Sequence, residues 1–326
     1  MKVVAYSIQP FEKEYLAKAN QKKHDITLIS NPLCMQTIAY AEGKDAIIVF
    51  ANDDVSTPVI NKLADMGVKY IATRSAGTDH IDKKTAAKRS IKIASVPVYS
   101  PQAIAEHAVA LALCLNRQLI RANENCHAFN FKLDGLTGFN FYGKTVGIIG
   151  LGNIGRAVAA IFNGFGCRVI GCDVAAMSGL ANIEVLSLDE VLGNSDIISL
   201  HVPLNDTTKY LINASTITKM KDGVMLINTS RGALIKTVDA IKALDKGKIG
   251  YLGLDVYEYE RGLFFEDHQQ DLIKDPLFEE LLAQQNVLVT PHQAFLTCEA
   301  LQQIAEKTIG NLDKWRQQEQ QLMVAN

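Results

Sequence analysis

The chain has 326 residues, of which 48% are hydrophobic, and a formal net charge of −2. This length suffices for about two domains. The near-neutral charge lacks the excess of basic residues that is typical of a nucleic-acid-binding protein. No apolar run approaches the roughly 18 residues of a membrane span. The six cysteines are scattered without a Cys-x-x-Cys pair, which favours reduced thiols and a cytoplasmic protein.

Residues 1 to about 98 alternate short apolar runs with helical patterns. The runs predict strands at Lys2–Tyr6, Ile26–Ile29, Ala46–Phe50, Tyr70–Thr73 and Lys92–Ala94. Helices are predicted between them at Glu12–Lys22, Met35–Ala41, Pro58–Met66 and Asp82–Arg89. Such alternation is typical of a parallel sheet covered by helices, here of flavodoxin-like type.

A proline-rich break at Pro97–Pro101 precedes one long predicted helix, Gln102–Asn125, which we expect to connect two domains. The second α/β series begins at Lys144. Its predicted strands are Thr145–Ile149, Arg168–Cys172, Ile197–His201, Val224–Asn228, Tyr251–Leu254 and Val287–Thr290, with helices at Ser187–Gly193, Ala214–Met220 and Val238–Asp245. The long acidic segment Tyr257–Glu280 is predicted to be a functional or interface loop.

The last predicted helix, Thr297–Glu319, is amphipathic, and we expect it to pack on the first domain and bury the single tryptophan, Trp315. The sequence therefore predicts two doubly wound parallel-sheet domains, Rossmann-like or flavodoxin-like, with a cleft between them. The substrate-binding domain would comprise residues 1–100 and 296–326, and the dinucleotide-binding domain residues 101–295.

The first strand of the second series ends in Gly150-x-Gly152-x-x-Gly155 and leads into a helical pattern. A Gly-x-Gly-x-x-Gly turn between a strand and a helix indicates a dinucleotide site, because the helix start attracts phosphates. Asp173 ends the next strand about 20 residues later, where a carboxylate accepts hydrogen bonds from the adenosine ribose. Its charge would repel a 2′-phosphate, so the prediction is NAD rather than NADP.

Polar residues follow the later strands, in Asn228–Gly232, Gly253–Glu260 and Thr290–Phe295. The carboxyl ends of parallel strands share one edge of a sheet, so Arg231 and His292 are predicted to lie at the same rim. An arginine suits a carboxylate, and a histidine held by a carboxylate suits proton transfer. Spacing alone leaves Asp255, Glu258 and Glu260 as possible partners of the histidine. These groups favour the reduction of a 2-keto acid.

The other histidines are predicted to lie on the surface or in loops, except for His107, expected to be structural, and His201, a weak candidate for cofactor contact. No group of His, Cys and Asp residues has metal-ligand spacing, so no metal is predicted.

The chain resembles the D-isomer-specific 2-hydroxyacid dehydrogenases over essentially its whole length. The resemblance includes the glycine turn and the polar stretches that follow the later strands. Within that family the chain is most similar to the fermentative D-lactate dehydrogenases of Gram-negative bacteria. The specific stretches are Pro97–Pro101 running into Ala105–His107, Gly135–Phe139, Leu263–Asp267 and His292–Thr297.

The resemblance implies reduction of pyruvate to D-lactate with NADH. It implies that Arg231 binds the substrate, that His292 is the acid/base and that Glu260 is its partner. The implied cofactor residues are Gly150, Gly152, Asn153, Ile154, Gly155, Asp173, Val202, Pro203, Thr208, Thr229, Ser230, Arg231 and Asp255. The implied substrate residues are Ser75, Ala76, Gly77, Thr78, Tyr99, Arg231, His292 and Phe295.

Two other functions stay open on the sequence. One is a dehydrogenase for a bulkier 2-keto acid such as phenylpyruvate. The other is an NAD-sensing protein of the corepressor type, since such proteins share this fold. The resemblance also implies a homodimer or homotetramer that uses residues Gln102 to Gly143 as its interface. We expect no nucleic-acid or membrane partner.

Overall fold

The computed structural model describes residues 1–175, 180, 182–270 and 275–324. Two compact units form, one of Met1–Ser100 with Leu296–Asn326 and the other of Pro101–Phe295. Residues 271–274, within the predicted loop Tyr257–Glu280, lie outside the described residues.

Each unit is built on one sheet in which every strand pair is parallel. In chain order the strands are β1 (Lys2–Ala5), β2 (Asp25–Leu28), β3 (Ala46–Val49), β4 (Tyr70–Thr73), β5 (Lys92–Ala94), β6 (Thr145–Ile149), β7 (Arg168–Cys172), β8 (Glu184–Val185), β9 (Ile197–Leu200), β10 (Val224–Asn228), β11 (Ile249–Leu254) and β12 (Val287–Val289). The first sheet has the order β2-β1-β3-β4-β5, and the second has the order β12-β11-β10-β9-β6-β7-β8.

The helices are α1 (Lys13–Asn20), α2 (Thr57–Asp65), α3 (Lys83–Lys88), α4 (Pro101–Asn116), α5 (Leu119–His127), α6 (Asn153–Gly164), α7 (Leu188–Asn194), α8 (Ala214–Thr218), α9 (Thr237–Asp245), α10 (Pro276–Leu282) and α11 (Cys298–Val324). Short 3-10 turns occur at Pro10–Glu12, Ile38–Ala41 and Gly232–Leu234. The predicted fold class, two α/β domains with parallel sheets, is confirmed.

Both faces of each sheet are covered by helices. Successive side chains along a strand point to opposite faces, so neighbouring residues of one strand join different cores. On β1, Val3 and Ala5 join a core beneath α1 and α11, whereas Val4 and Tyr6 join a core beneath α2 and α3. The second sheet is covered in the same way, by α4 and α6 on one face and by α7 and α9 on the other. Sheets covered on both faces explain why the strands read as nearly continuous apolar runs.

The last helix packs on the first sheet, as predicted. Ala305, Ile309 and Leu312 of α11 join the core of β1 and β3. Trp315 is 7% exposed, and its ring stacks on Tyr70 with the centroids 4.7 Å apart.

Two predicted helices differ from the structure, and two elements of the structure were not predicted. The long helix Gln102–Asn125 is two helices, α4 and α5, because Gln118 adopts a left-handed φ of 48° that ends the regular hydrogen bonding. The predicted helix Met35–Ala41 is only the 3-10 turn at Ile38–Ala41. Strand β8 and helix α10 were not predicted, since β8 has two exposed residues and α10 lies within the segment interpreted as a loop.

No single helix among the described residues is long and apolar enough to cross a membrane. The pair α4 and α5 passes that test only when taken together, and it is bent by 58°.

Candidate active site

The glycine turn lies at the point where the strand order of the second sheet reverses. Strand β6 pairs with β7 on one side and with β9 on the other, and ligands of open α/β sheets bind at such a point. Gly150 has a φ of +97°, and a Cβ atom there would lie 2.5 Å from the carbonyl oxygen of His201. A Cβ atom at Gly155 would lie 1.9 Å from the carbonyl oxygen of Gly150. Packing therefore requires glycine at both positions.

Gly152 differs from the other two glycines, because a Cβ atom there would have no neighbour within 4 Å among the described residues. It is the N-cap of α6, whose first backbone N–H groups, those of Asn153 and Ile154 included, have no partner within the helix. Open space before free N–H groups is what an approaching phosphate requires.

Asp173 follows β7 and is tied to the glycine turn. One carboxylate oxygen accepts a hydrogen bond from the Leu151 N–H at 2.7 Å, and the other accepts one from the Ala175 N–H at 2.9 Å. The backbone therefore holds this carboxylate beside the turn, and each oxygen keeps a lone pair for another donor.

Asn228 shapes the loop that carries Arg231 after β10. Its buried amide donates to the Arg231 carbonyl at 2.8 Å and accepts from the Ser230 N–H at 3.0 Å. Gly232 lets this loop pack on the segment after β11, since a Cβ atom there would lie 2.0 Å from the carbonyl carbon of Tyr257. The Arg231 guanidinium donates to the Ser230 carbonyl at 2.8 Å and is half-buried at the rim.

The remaining predicted cofactor residues lie after β9 and β10. The Ser230 hydroxyl donates to the Val202 carbonyl at 2.7 Å, and the Thr208 hydroxyl donates to the Pro203 carbonyl at 2.6 Å. Thr229 is buried, and its Oγ1 has no hydrogen-bond partner within the described part of the chain. A buried hydroxyl without a partner, at the carboxyl end of a strand in the sheet that bears the glycine turn, fits a polar group supplied by a ligand.

Glu260 and His292 form a hydrogen-bonded pair at the same rim. Glu260 Oε1 lies 2.8 Å from His292 Nδ1, and the two side chains are 17% and 16% exposed. Glu260 Oε2 accepts the Tyr257 N–H at 3.1 Å, which fixes the carboxylate. The Phe265 ring lies beside the imidazole with the centroids 6.0 Å apart.

The other two acids that the sequence left open are engaged elsewhere. Glu258 accepts the Tyr210 hydroxyl at 2.6 Å and the Thr237 N–H at 2.9 Å. Asp255 is 0% exposed and accepts the N–H groups of Gln293 and Ala294. The carboxylate in contact with His292 is therefore that of Glu260.

The burial of Asp255 bears on its predicted role. Asp255 is 0% exposed, and its carboxylate oxygens already accept three hydrogen bonds within the chain, from the Thr290 hydroxyl and from the N–H groups of Gln293 and Ala294. Its carboxylate thus binds the backbone of the loop that carries His292. His292 itself has a φ of +53°, and a left-handed backbone costs a non-glycine residue on the order of 1–3 kcal/mol, so the surrounding contacts must fix it.

The predicted substrate loop Ser75–Thr78 follows β4 in the first unit. The Ser75 hydroxyl donates to the Gly77 carbonyl at 2.7 Å, and the Ser75 carbonyl accepts the Val96 N–H at 3.0 Å. Ala76 is exposed, whereas Ser75, Gly77 and Thr78 are half-buried. Tyr99 is half-buried in the same unit, and Phe295 is buried in the second unit.

Arg74, which the sequence did not single out, lies immediately before this loop and is fully buried. Its Nε donates to Glu12 Oε1 at 2.8 Å, and its Nη2 donates to the carbonyls of Tyr6 and Ser7. The guanidinium also lies 5.3 Å from the centre of the Phe50 ring. No local pattern signals this pairing, because Glu12 and Arg74 are far apart in the chain.

One further histidine, His24, differs from its predicted place. His24 was expected at the surface, but its side chain is buried, with Nε2 3.0 Å from Asp313 Oδ1. Burial lowers its pKa, although the bond to Asp313 opposes that effect. His201 follows β9 beside Gly150 and contacts the Ser199 hydroxyl at 2.8 Å, and burial lowers its pKa to about 3. It is therefore neutral at physiological pH.

The site fits a dinucleotide on three observations: the open backbone at Gly152, the anchored carboxylate of Asp173 and the buried hydroxyl of Thr229. Among the described residues there is no group of three or more His, Cys, Asp or Glu side chains that could hold a metal ion.

Residues 109–294 match the family described as D-isomer specific 2-hydroxyacid dehydrogenase, NAD binding domain. The chain therefore belongs to the D-isomer-specific 2-hydroxyacid dehydrogenases, which makes it an oxidoreductase with NAD as its cofactor.

Relatives are similar over nearly the whole chain. D-lactate dehydrogenase of Escherichia coli K12 is 45% identical, and the alignment covers 96% of each chain. The solved pyruvate reductase of Chlamydomonas reinhardtii is 43% identical with a TM-score of 0.89, covering 97% of this chain and 96% of that one. A D-lactate dehydrogenase of Aquifex aeolicus, solved with NAD and lactic acid, is 32% identical with a TM-score of 0.88, covering 99% of this chain and 98% of that one.

Proposed function

We propose that the chain reduces pyruvate to D-lactate with NADH and catalyses the reverse oxidation. The observation that carries this proposal is the hydrogen bond between Glu260 and His292, at the edge of the sheet that also bears the glycine turn. The names of the similar proteins, D-lactate dehydrogenases and a pyruvate reductase, support the substrate.

His292 is the proposed acid. Its Nδ1 faces Glu260, so Nε2 is the nitrogen that delivers a proton to the carbonyl oxygen of the 2-keto acid. The Glu260 carboxylate stabilises the imidazolium and fixes the ring orientation. NADH, when bound, supplies the hydride to the carbonyl carbon. In the oxidation of D-lactate, neutral His292 takes the hydroxyl proton back.

Arg231 is the proposed anchor for the substrate. Its guanidinium has the planar fork that binds a carboxylate through two hydrogen bonds, and Asn228 holds its backbone. Backbone N–H groups of Ser75–Thr78 would bind the same carboxylate. Tyr99 and Phe295 would set the size of the pocket for the substrate methyl group.

The cofactor would lie along the glycine turn, with its pyrophosphate at the N–H groups of Asn153 and Ile154 and its ribose at Asp173. Val202, Pro203, Thr208, Thr229 and Ser230 would line the site. For Asp255 we propose support of the His292 loop instead of direct cofactor contact, because its carboxylate is enclosed.

The two units would divide these tasks. The second unit contains the residues that match the NAD binding domain, and the first unit would bind substrate. We also infer a cytoplasmic location, which the six free thiols support.

A second copy of the chain is the proposed partner. Apolar side chains are exposed on α5 and on the segment that follows it, including Phe129 at 86%, Leu133 at 78% and Tyr142 at 80%. Such a concentration of exposed apolar side chains is typical of a protein interface. Sedimentation equilibrium should give at least a dimer, and a monomer at micromolar concentration would contradict this assignment.

The loss of NADH absorbance with pyruvate tests the proposed function. The purified protein should oxidise NADH faster with pyruvate than with phenylpyruvate, and the product should be D-lactate by enantiomer-specific analysis. Faster turnover of phenylpyruvate would favour the enzyme for bulkier acids. NADH binding without turnover on any 2-keto acid would favour the dinucleotide-sensing protein.

A further inference from the structure

His107 connects the helix α4 to the loop that carries His292. Its Nε2 lies 2.9 Å from the Thr290 Oγ1 and 3.3 Å from Asp255 Oδ1. The His107 side chain is 18% exposed, and Asp255 is enclosed. All three residues belong to the second unit, and no residue assigned above to substrate or cofactor lies on α4.

The direction of these hydrogen bonds follows from the number of protons. The Thr290 hydroxyl donates its one proton to Asp255 Oδ1, at 2.6 Å. The bond between Thr290 and His107 therefore needs a proton on His107 Nε2. The imidazole is thus a donor to the Thr290 hydroxyl oxygen, which fixes its tautomer if the ring is neutral.

Asp255 accepts hydrogen bonds from residues on both sides of His292. Before His292 it accepts the Thr290 hydroxyl. After His292 it accepts the N–H groups of Gln293 and Ala294, both at 2.8 Å. His292 has a left-handed backbone, which persists only where the surroundings fix it. The buried carboxylate therefore determines where the imidazole of His292 points.

We propose that His107 is a positioning residue for the acid/base histidine: it holds the Thr290–Asp255 pair, and that pair holds the His292 loop. This inference rests on the proposed function, in which His292 transfers the proton. Replacing His107 removes the donor to the Thr290 hydroxyl and frees the loop from α4. Displacement of a catalytic group by about 1 Å costs up to about 10²-fold in rate.

Variants His107→Leu and Thr290→Val test the proposal with pyruvate and NADH. Both should lower kcat by about 10- to 10²-fold, with the Kd of NADH, measured by fluorescence, within about twofold of wild type. Thr308→Val is the matched control for Thr290→Val, because the buried Thr308 hydroxyl has no hydrogen-bond partner within the described ranges. Its kcat should equal that of wild type.

Two further measurements separate positioning from a general loss of structure. His107→Gln keeps an N–H donor near the position of Nε2 and should restore most of the lost kcat. The double variant His107→Leu/Thr290→Val should lose little more than either single variant, because all act through one network.

Amide hydrogen exchange of the protein without substrate gives a readout that does not depend on activity. The peptide spanning residues 290–295 should exchange faster in His107→Leu than in wild type, while the peptides of β6 and α6 should be unchanged. A wild-type exchange rate at 290–295, a kcat within twofold of wild type for His107→Leu, or an equal defect in His107→Gln would overturn the inference.

The variant His292→Ala distinguishes this failure from failure of the proposed function. If His292→Ala is inactive while His107→Leu is fully active, only the positioning role of His107 is wrong. If His292→Ala retains a near-normal rate, the proposed acid/base is wrong, and the inference falls with it.

Discussion

The carboxyl edges of the two sheets use charged residues differently. At the edge of the first sheet, Arg74 and Glu12 form an ion pair whose side chains are 0% and 5% exposed. At the edge of the second sheet, Glu260 and His292 form a hydrogen-bonded pair whose side chains stay partly exposed at the rim. The first pair lies directly before a predicted substrate loop, whereas the second carries the predicted chemistry.

This difference separates residues that stabilise the fold from residues that take part in the proposed reaction. A buried ion pair that loses one partner leaves an uncompensated charge, so its removal affects folding. A rim pair remains available to a ligand, so its removal affects turnover. The comparison predicts that substitutions at the first edge change stability and that substitutions at the second edge change kinetics.

Arg74→Met should have the largest effect on stability. It leaves the buried Glu12 carboxylate without its cation, which costs about 3–5 kcal/mol. The loss is measurable by urea unfolding, followed by the fluorescence of Trp315, because this single tryptophan is buried in the first unit.

The double variant Glu12→Gln/Arg74→Met is the control for this prediction. Removing both charges should recover a large part of the lost stability, since the isolated charge is then gone. Equal stability of Arg74→Met and wild type would show that the pair does not support the first unit.

Glu260→Gln and Glu258→Gln form a matched pair only two residues apart. Glu260→Gln should lower kcat by about 10²-fold, because the neutral amide no longer stabilises the imidazolium. Glu258→Gln should leave kcat unchanged but lower stability by about 1–3 kcal/mol, because Glu258 accepts hydrogen bonds from Tyr210 and Thr237.

The stability effect of Glu258 should depend on pH. Burial raises the pKa of Glu258, but the hydrogen bonds from Tyr210 and Thr237 outweigh burial and lower the pKa overall. A lowered pKa in the folded state means that the carboxylate stabilises the fold at neutral pH, and this contribution is lost as the pH falls through the folded pKa. The stability difference between Glu258→Gln and wild type should shrink under acid conditions. A difference that grew with acid would argue against this role.

Asp173→Ala should have the smallest of these effects, on cofactor choice. Loss of the carboxylate removes hydrogen bonds to the ribose and the repulsion of a 2′-phosphate, so the preference for NADH over NADPH in kcat/KM should fall by about tenfold. Asp222→Ala, at an aspartate that is 89% exposed in the same unit, should leave the ratio unchanged. An unchanged ratio in Asp173→Ala would remove Asp173 from the ribose site.

Much of the fold could be predicted because parallel strands buried on both faces leave apolar runs that end in glycine or polar residues. The failures have local causes. The bend at Gln118 interrupts an apolar pattern that continues on both sides, so periodicity predicts one helix. Strand β8 has only two exposed residues and no apolar run, and only its pairing with β7 defines it.

The residues at the rim could be predicted from their positions after strands, but their partners could not. Three acids within six residues compete for His292, and the structure resolves them through contacts with Tyr210, Thr237 and the loop backbone. Arg74 was not predicted as a functional residue, and the contact of His107 with Thr290 could not be predicted, because Glu12 and Thr290 lie far from these partners in the chain. Such contacts depend on tertiary packing, which a single sequence does not display.

The turnover of His292→Ala with pyruvate and NADH is the decisive test of the proposed proton donor. We expect kcat to fall by about 10²- to 10⁴-fold, the contribution of a positioned acid/base, while NADH still binds. A near-normal kcat in this variant would contradict the assignment of His292 as the proton donor.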